Sequence, residues 1–267
     1  MLPALPVEKR LNDKSARDKD RRLMTSCSNL SRMVTRTACA ALFLISIPGH
    51  ADISGSLIFV TDYIFRGYSK SDGHPAGRAN LDYEHSSGFY LGTWISSVDF
   101  GDDGFDDRAN VEMSPYIGWN FPILDDWQID SYLTRYIYDG KIFAHDSDYN
   151  ELDLLVSFRD LITARFAWSD DLYNQGAPAY DYELTGRYPL TDVFELSAGV
   201  GLSETNEALD YNYLYWNLGV TWFLKYGAMD FRYAQTSRFA EKLNKNPWPF
   251  DPPMIDATFI FSISVGF

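Results

Sequence analysis

From Ala51 onward this chain alternates apolar and polar residues with a period of two, and no helical period of 3.6 persists anywhere. Residues 110–119 set Val111, Met113, Pro115, Ile117 and Trp119 against Asn110, Glu112, Ser114 and Tyr116. Residues 151–159 set Leu152, Leu154, Val156 and Phe158 against Glu151, Asp153, Ser157 and Arg159. Residues 180–188 oppose Tyr180, Tyr182, Leu184 and Tyr188 to Asp181, Glu183 and Arg187. Successive side chains of a strand point to opposite faces, so each segment predicts one apolar and one polar face.

About twelve such segments are predicted, at 54–66, 76–86, 88–100, 109–121, 126–138, 149–159, 161–170, 179–189, 192–203, 211–223, 225–236 and 255–267. Their connections alternate between tight and long. Ser86 to Gly88, Pro122 to Asp126, Arg159 to Leu161, Pro189 to Asp192 and Leu224 to Gly227 are tight. Between them lie GYSKSDGHP, GDDGFDDR, DGKIFAHDSD, DDLYNQGAP, ETNEALD and SRFAEKLNKNPWPFDPP. Tight turns at one end and long polar loops at the other are the layout of a transmembrane, antiparallel, up-and-down β-barrel of the bacterial outer membrane. A soluble sandwich or closed barrel would show the same alternation. The rhythm of the connections disfavours it. So do aromatics near strand ends, at Tyr63, Tyr83, Trp94, Trp119, Trp127, Trp168, Tyr188 and Trp222, where membrane girdles sit.

The first fifty residues differ in kind. Arg32 and Arg36 precede an apolar run from Ala38 to Ile47, followed by Pro48 and the small-x-small end Gly49-His50-Ala51. That predicts a cleaved export signal over residues 1–51, with translation starting at Met24 or Met33, and a barrel over 52–267. The apolar run is too short to span a bilayer as a helix. Of 23 basic and 37 acidic residues, segment 1–51 carries 9 and 4, leaving 14 and 33 in the exported part. So acidic a chain lacks the basic face that nucleic acid requires. Both cysteines, Cys27 and Cys39, lie in the export segment, which excludes a disulfide framework in the barrel.

In such a barrel the apolar face meets lipid and the polar face lines the lumen. Asp62 and Arg66, four apart on the first predicted segment, are expected to point inward and lean on each other, with Phe59, Tyr63 and Phe65 toward lipid. The same register assigns Asp82, Glu84, Glu112, Asp130, Glu151, Asp153, Asp181, Glu183, Glu195 and Asp230 to the lumen, with Arg78, Arg159, Arg165, Arg187 and Arg232. The five lysines beyond residue 51 all fall in predicted loops or turns. Planar guanidinium groups among carboxylates predict a cross-linked lumen network. The excess of acids predicts a narrow, cation-preferring passage. Arg135 breaks the scheme, landing on the lipid face near the outer end. There it either snorkels to lipid phosphates or marks a register-shifting bulge.

The stretch from Val60 to Phe100 carries Thr61-Asp62-Tyr63, Phe65-Arg66-Gly67 and Ser69, then Asp72-Gly73 and Pro75, then Gly88, Tyr90, Gly92 and Trp94. This pattern resembles the opening of the TorF-like porin family of Gram-negative outer membranes, with Thr61 where a serine is usual. Tyr136 and Tyr138 add a weaker match. The resemblance covers about forty residues. It implies an outer-membrane barrel and brings no substrate with it.

Enzymatic readings rest on thin signals. His85-Ser86 sits at a predicted short turn without a partner acid in register. His145-Asp146 and Asp102-Asp103 lie in predicted outer loops, loosely like the acid and histidine pairs of barrel proteases. No phosphate loop, dinucleotide fingerprint or zinc-ligand spacing occurs. The expectation is therefore a porin giving passive passage to small polar, cationic solutes, without cofactor, metal or catalytic residue. The alternative is a non-conducting barrel serving as a scaffold or binding protein. Expected partners are outer-membrane lipid and lipopolysaccharide, the solute, and the barrel-insertion machinery, which would engage the last aromatic strand ending in Phe267.

Overall fold

The structure is a computed structural model describing residues 51–240 and 252–267. The expected export segment, apart from Ala51, lies outside the described residues, as does the Pro247-Trp248-Pro249-Phe250 part of the last long link.

Period-two alternation becomes a closed barrel of twelve antiparallel strands. The wall runs through β1 (Ala51–Val60), β4 (Ala76–His85), β5 (Phe89–Ser97), β6 (Val111–Leu124), β7 (Trp127–Tyr138) and β8 (Tyr149–Phe158). It continues through β9 (Ile162–Ser169), β10 (Ala179–Pro189), β11 (Phe194–Glu204), β12 (Asn212–Phe223), β13 (Gly227–Phe239) and β14 (Thr258–Gly266). Each strand pairs with its sequence neighbour in the wall, and β1 closes the circle on β14, with Ser56 opposite Gly266 and Val60 opposite Ser262. Closure matters because an open sheet would leave a row of unpaired backbone groups at each edge. Gly55 lies at this seam, exchanging backbone hydrogen bonds with Phe267 at 3.2 and 3.0 Å. A Cβ there would stand 2.6 Å from the Phe267 ring and 2.8 Å from the Asn80 carbonyl oxygen, so the close approach requires glycine.

The alternation expected from sequence holds strand by strand. Leu57, Phe59, Leu81, Ile117, Leu133, Leu184, Leu218 and Phe231 stand exposed on the outer surface, while Ser56, Asn80, Glu112, Thr134, Asp153, Thr185, Ser197 and Thr221 are buried inside. Tight turns gather at one end and longer connections at the other.

The largest departure lies between β1 and β4. The first segment was expected to continue to residue 66, but β1 ends at Val60. The chain then turns into the barrel as a miniature hairpin of β2 (Ile64–Phe65) and β3 (Tyr68–Ser69), with Phe65 opposite Tyr68. Its two-residue tip is Arg66-Gly67, at φ +46° and +85°. Positive φ at both tip residues is the mark of the turns whose twist suits a two-residue hairpin. Glycine adopts that backbone freely, and arginine at the first position does so under strain. The hairpin's position explains why the strain is tolerated: Arg66 is buried and both terminal nitrogens of its guanidinium group are held by carboxylates.

Candidate functional site

The hairpin brings two cations into the long-loop half of the lumen. Arg66 Nη1 donates to Glu151 Oε2 at 2.6 Å and to Asp181 Oδ2 at 2.8 Å, and Nη2 donates to Glu151 Oε1 at 2.5 Å. Asp153 Oδ1 lies 3.7 Å from the same Nη2. Glu151 and Asp153 are alternate residues of β8, and Asp181 sits at the matching height on β10, so the register of the wall builds the cradle. Arg165 of β9, between them, donates through Nε to Asp153 Oδ1 at 2.7 Å and lies 3.4 Å from Glu151 Oε1. Ser203 of β11 donates to Asp181. Two guanidinium groups thus face three carboxylates, all buried, in a setting where fork-to-carboxylate bonding is strong.

Lys70 fills the second position. Its Nζ donates to Glu112 Oε2 at 2.5 Å. Tyr138 and Tyr63 donate to the two oxygens of the same carboxylate, at 2.9 and 3.2 Å. The ammonium lies over the rings of Phe65 at 4.1 Å and Tyr136 at 4.8 Å, a desolvated cation–π cage. Around it packs an aromatic mass in which Tyr149 stacks on Tyr136 at 4.5 Å and Tyr68 meets the Tyr173 hydroxyl at 2.5 Å.

Arg78, near the long-loop end of β4, is sandwiched between Tyr63 and Trp94, at 4.3 and 4.4 Å. The short-turn half is built differently. Tyr116 donates to Asp82, and Tyr90 donates to Asp130 at 2.6 Å. Arg232 bonds Asp230, Asn217 Oδ1 at 2.6 Å and Ser197 Oγ at 2.9 Å. Arg187 donates to Thr163, and Glu183 accepts from Tyr215 at 3.0 Å. Several of these groups, including Asp82, Asp130, Asp230 and Arg232, remain partly exposed to the lumen.

Of the residues assigned to the lumen from sequence, the structure brings Arg66, Glu151, Asp153, Arg165 and Asp181 into one cluster. It sets Glu112, Arg78, Asp82, Glu183, Arg187 and Arg232 along the same inner wall. Six expectations need correction. Asp62 and Arg66 do not pair; Asp62 accepts from Ser69 at 2.5 Å and Ser71 at 3.1 Å, because the chain bends between the two. Tyr63 and Phe65 face the interior, carried there by the hairpin. Trp94 also points inward instead of joining a girdle. Glu84 keeps its inward register but is exposed at the short-turn mouth. Arg159 lies in the turn after β8, paired with Asp126 at 2.7 Å. Lys70, expected in an outer loop, is buried inside. The sign balance survives these changes: acids on the inner wall still outnumber bases.

Arg135 stays on the outer face with its register intact, opposite Asn150, and lies 3.4 Å from Asp148 at the long-loop end. The candidate enzyme pairs are occupied otherwise. His85 Nδ1 bonds Ser87 Oγ, not Ser86, and Asp102 accepts from the Phe143 backbone amide, bracing two long loops together. Outside the wall, the hydrogen bond from Arg159 holds the Asp126 carboxyl below its usual value, while burial, seconded by Asp99, raises that of Asp72. No cluster of residues suited to a metal ion occurs among the described residues.

A family model described as a bacterial protein of unknown function (Gcw_chp) matches residues 48–248, from before β1 to beyond β13. The chain belongs to that family. Its Gcw_chp match embraces the inner hairpin and every carboxylate that the hairpin contacts. Among curated proteins nothing matches. Solved structures similar to this Gcw_chp chain include the KdgM porin in complex with disordered oligogalacturonate, at 7% identity, covering 82% of this chain and 98% of that one, with a TM-score of 0.46. The COG4313 outer membrane channel from Pseudomonas putida F1 is 9% identical, covers 83% and 96%, and scores 0.45. The NanC porin is 9% identical, covers 81% and 99%, and scores 0.44.

Proposed function

We propose that this chain is a narrow outer-membrane porin giving passive passage to small polar, cationic solutes. The observation that carries the reading is the inversion of the barrel: a continuous apolar exterior around a charged, hydrogen-bonded interior whose acids exceed its bases. A soluble monomer rarely exposes contiguous apolar surface beyond a few hundred Å². Here every strand contributes outward Leu, Ile, Val or aromatic residues, which suits contact with lipid. Trp119, Trp127, Tyr188 and Trp222 cluster beside the tight turns, consistent with an interfacial girdle. The lumen needs no bond-breaking chemistry; selection rests on charge and width. In this reading the motif between Val60 and Phe100 makes the chain TorF-like. Its partners are lipid and lipopolysaccharide outside, a small cation inside, and the insertion machinery through the aromatic β14. The twelve strands sit between eight, where side chains fill the interior, and sixteen, where a water channel remains.

A second reading is a non-conducting scaffold, favoured by the hairpin that fills the long-loop half. Single-channel recording of the purified protein in a planar bilayer under a salt gradient separates the two. Discrete steps with a cation-selective reversal potential are expected. Silence from protein shown to be inserted would leave the scaffold.

A further inference from the structure

We propose that the lumen contains two solute sites that the chain fills with its own side chains, and that solutes carrying a guanidinium or primary ammonium group bind by exchanging with Arg66 and Lys70. This rests on the porin reading only for the step of passage; binding stands apart from it.

The cradle of Glu151, Asp153 and Asp181 belongs to the wall, while the cation in it belongs to a loop. At Glu112 the division is partial: the carboxylate, Tyr136 and Tyr138 belong to the wall, whereas Phe65, at 4.1 Å from the ammonium, and Tyr63, a donor to Glu112, come with the hairpin segment. The guanidinium cradle therefore keeps its charge if the hairpin tip moves, and the ammonium site keeps its carboxylate and its two β7 rings. A wall carboxylate left alone in such a place would be costly, so any cation of matching shape has a strong claim on it. The planar fork selects guanidinium, and the compact caged position selects ammonium.

The hairpin's backbone makes fewer hydrogen bonds to its surroundings than a wall strand does, and its hold rests on buried side chains. Its backbone reaches its surroundings through Ser69 N to Pro253 O at 2.8 Å, Ile255 N to Gly67 O at 3.3 Å and Asp99 N to Lys70 O at 2.8 Å. Thr236 Oγ1 adds a bond to Gly67 O at 2.6 Å. Its two strands have two residues each, and the exit passes through Asp72 and Gly73, both at positive φ. The chain thus supplies tethered cations on a short arm that bends at both ends, opposite carboxylates that do not move. Two cation sites within the reach of one hairpin also favour a solute bearing both groups.

The test uses agmatine, which carries one guanidinium and one primary ammonium, with tetraethylammonium as a cation lacking donors. Calorimetric titration of the purified full-length protein in detergent should show Arg66→Gln binding agmatine at least about tenfold more tightly than wild type, because the site is no longer pre-occupied. Adding Glu151→Gln and Asp181→Asn should abolish the gain, and tetraethylammonium should show none. Equal agmatine affinity in wild type and Arg66→Gln would overturn the proposal. If Arg66→Gln does not fold, Ser71→Cys with Asp99→Cys decides, in protein that also carries Cys27→Ser and Cys39→Ser, since residues 71 and 99 pair as an isolated β-bridge and no other cysteine then remains. The reduced form should bind agmatine and the oxidised form, its hairpin locked, should not; equal binding by both overturns exchange. Bilayer recordings separate the two claims. Agmatine binding without any current removes the porin reading and keeps the sites, whereas current indifferent to agmatine, with no binding, removes the sites and keeps the porin.

Discussion

The two halves of this lumen share one wall and one residue vocabulary, yet they are built in opposite ways. In the long-loop half, charges are matched across sequence distance: Arg66 reaches Glu151 and Asp181, 85 and 115 residues away. In the short-turn half, many partners are neighbours on the wall, as where Arg232 meets Asp230 two residues earlier and Asn217 on the adjoining β12. The first half is the more deeply buried; the second keeps polar groups partly open. Conduction needs polar groups that water and ions can reach, so on the proposed porin reading the short-turn half would serve as passage and the long-loop half as its closure.

Substitutions should separate the halves by size of effect. Arg66→Met leaves three buried carboxylates sharing only Arg165 and should destabilise the barrel by about 3–5 kcal/mol. The check is the urea midpoint of the mobility difference between folded and heat-unfolded protein on gels. Lys70→Met removes one cation from Glu112, which retains the Tyr63 and Tyr138 hydroxyl groups, so about 2–3 kcal/mol is expected in the same assay. Tyr173→Phe deletes the short hydroxyl contact with Tyr68 while keeping the ring, for about 1 kcal/mol. Arg232→Gln, in the open half, should shift the midpoint by less than about 1 kcal/mol and move the bilayer reversal potential toward stronger cation preference. Asp126→Asn, in the exposed turn pair with Arg159, should change neither measurement. A result in which Arg232→Gln costs more stability than Arg66→Met would erase the contrast between the halves.

The wall was legible in the sequence because period two admits almost no other solution: a slip by one residue would turn Leu152 inward and Asp153 toward lipid. Tight turns were equally plain, since Ser87-Gly88 and Arg159-Asp160 sit between apolar alternations. The hairpin was not legible, for a physical reason. Val60 to Ser69 is aromatic and β-branched enough to read as an uninterrupted strand, and Asp62 and Arg66 share a face if it is one. The signal against this was Gly67 inside the run, with Arg66 where asparagine or aspartate usually precedes such a glycine. Once the strand was carried six residues too far, Tyr63 and Phe65 fell on the wrong face and Lys70 fell outside. The cluster around Arg66 draws on four separate segments of chain, and spacing within any one of them carries no trace of that meeting. The pairing expected between Asp62 and Arg66 gives way to pairing between Arg66 and Glu151, whose coupling a double-mutant cycle should register.

The hairpin joins β1 to β4, neighbours in the wall, yet its tip is anchored on β8 and β10, formed far later in the chain. Its docking site does not exist until β8 and β10 have curled around to face β1. Assembly therefore has a fixed last act: the sheet must bend most of the way to a circle before Arg66 has anything to grip. A barrel stalled before β8 and β10 come round to face β1 would hold the Arg66 ion pairs unmade, and that share of its stability would arrive late.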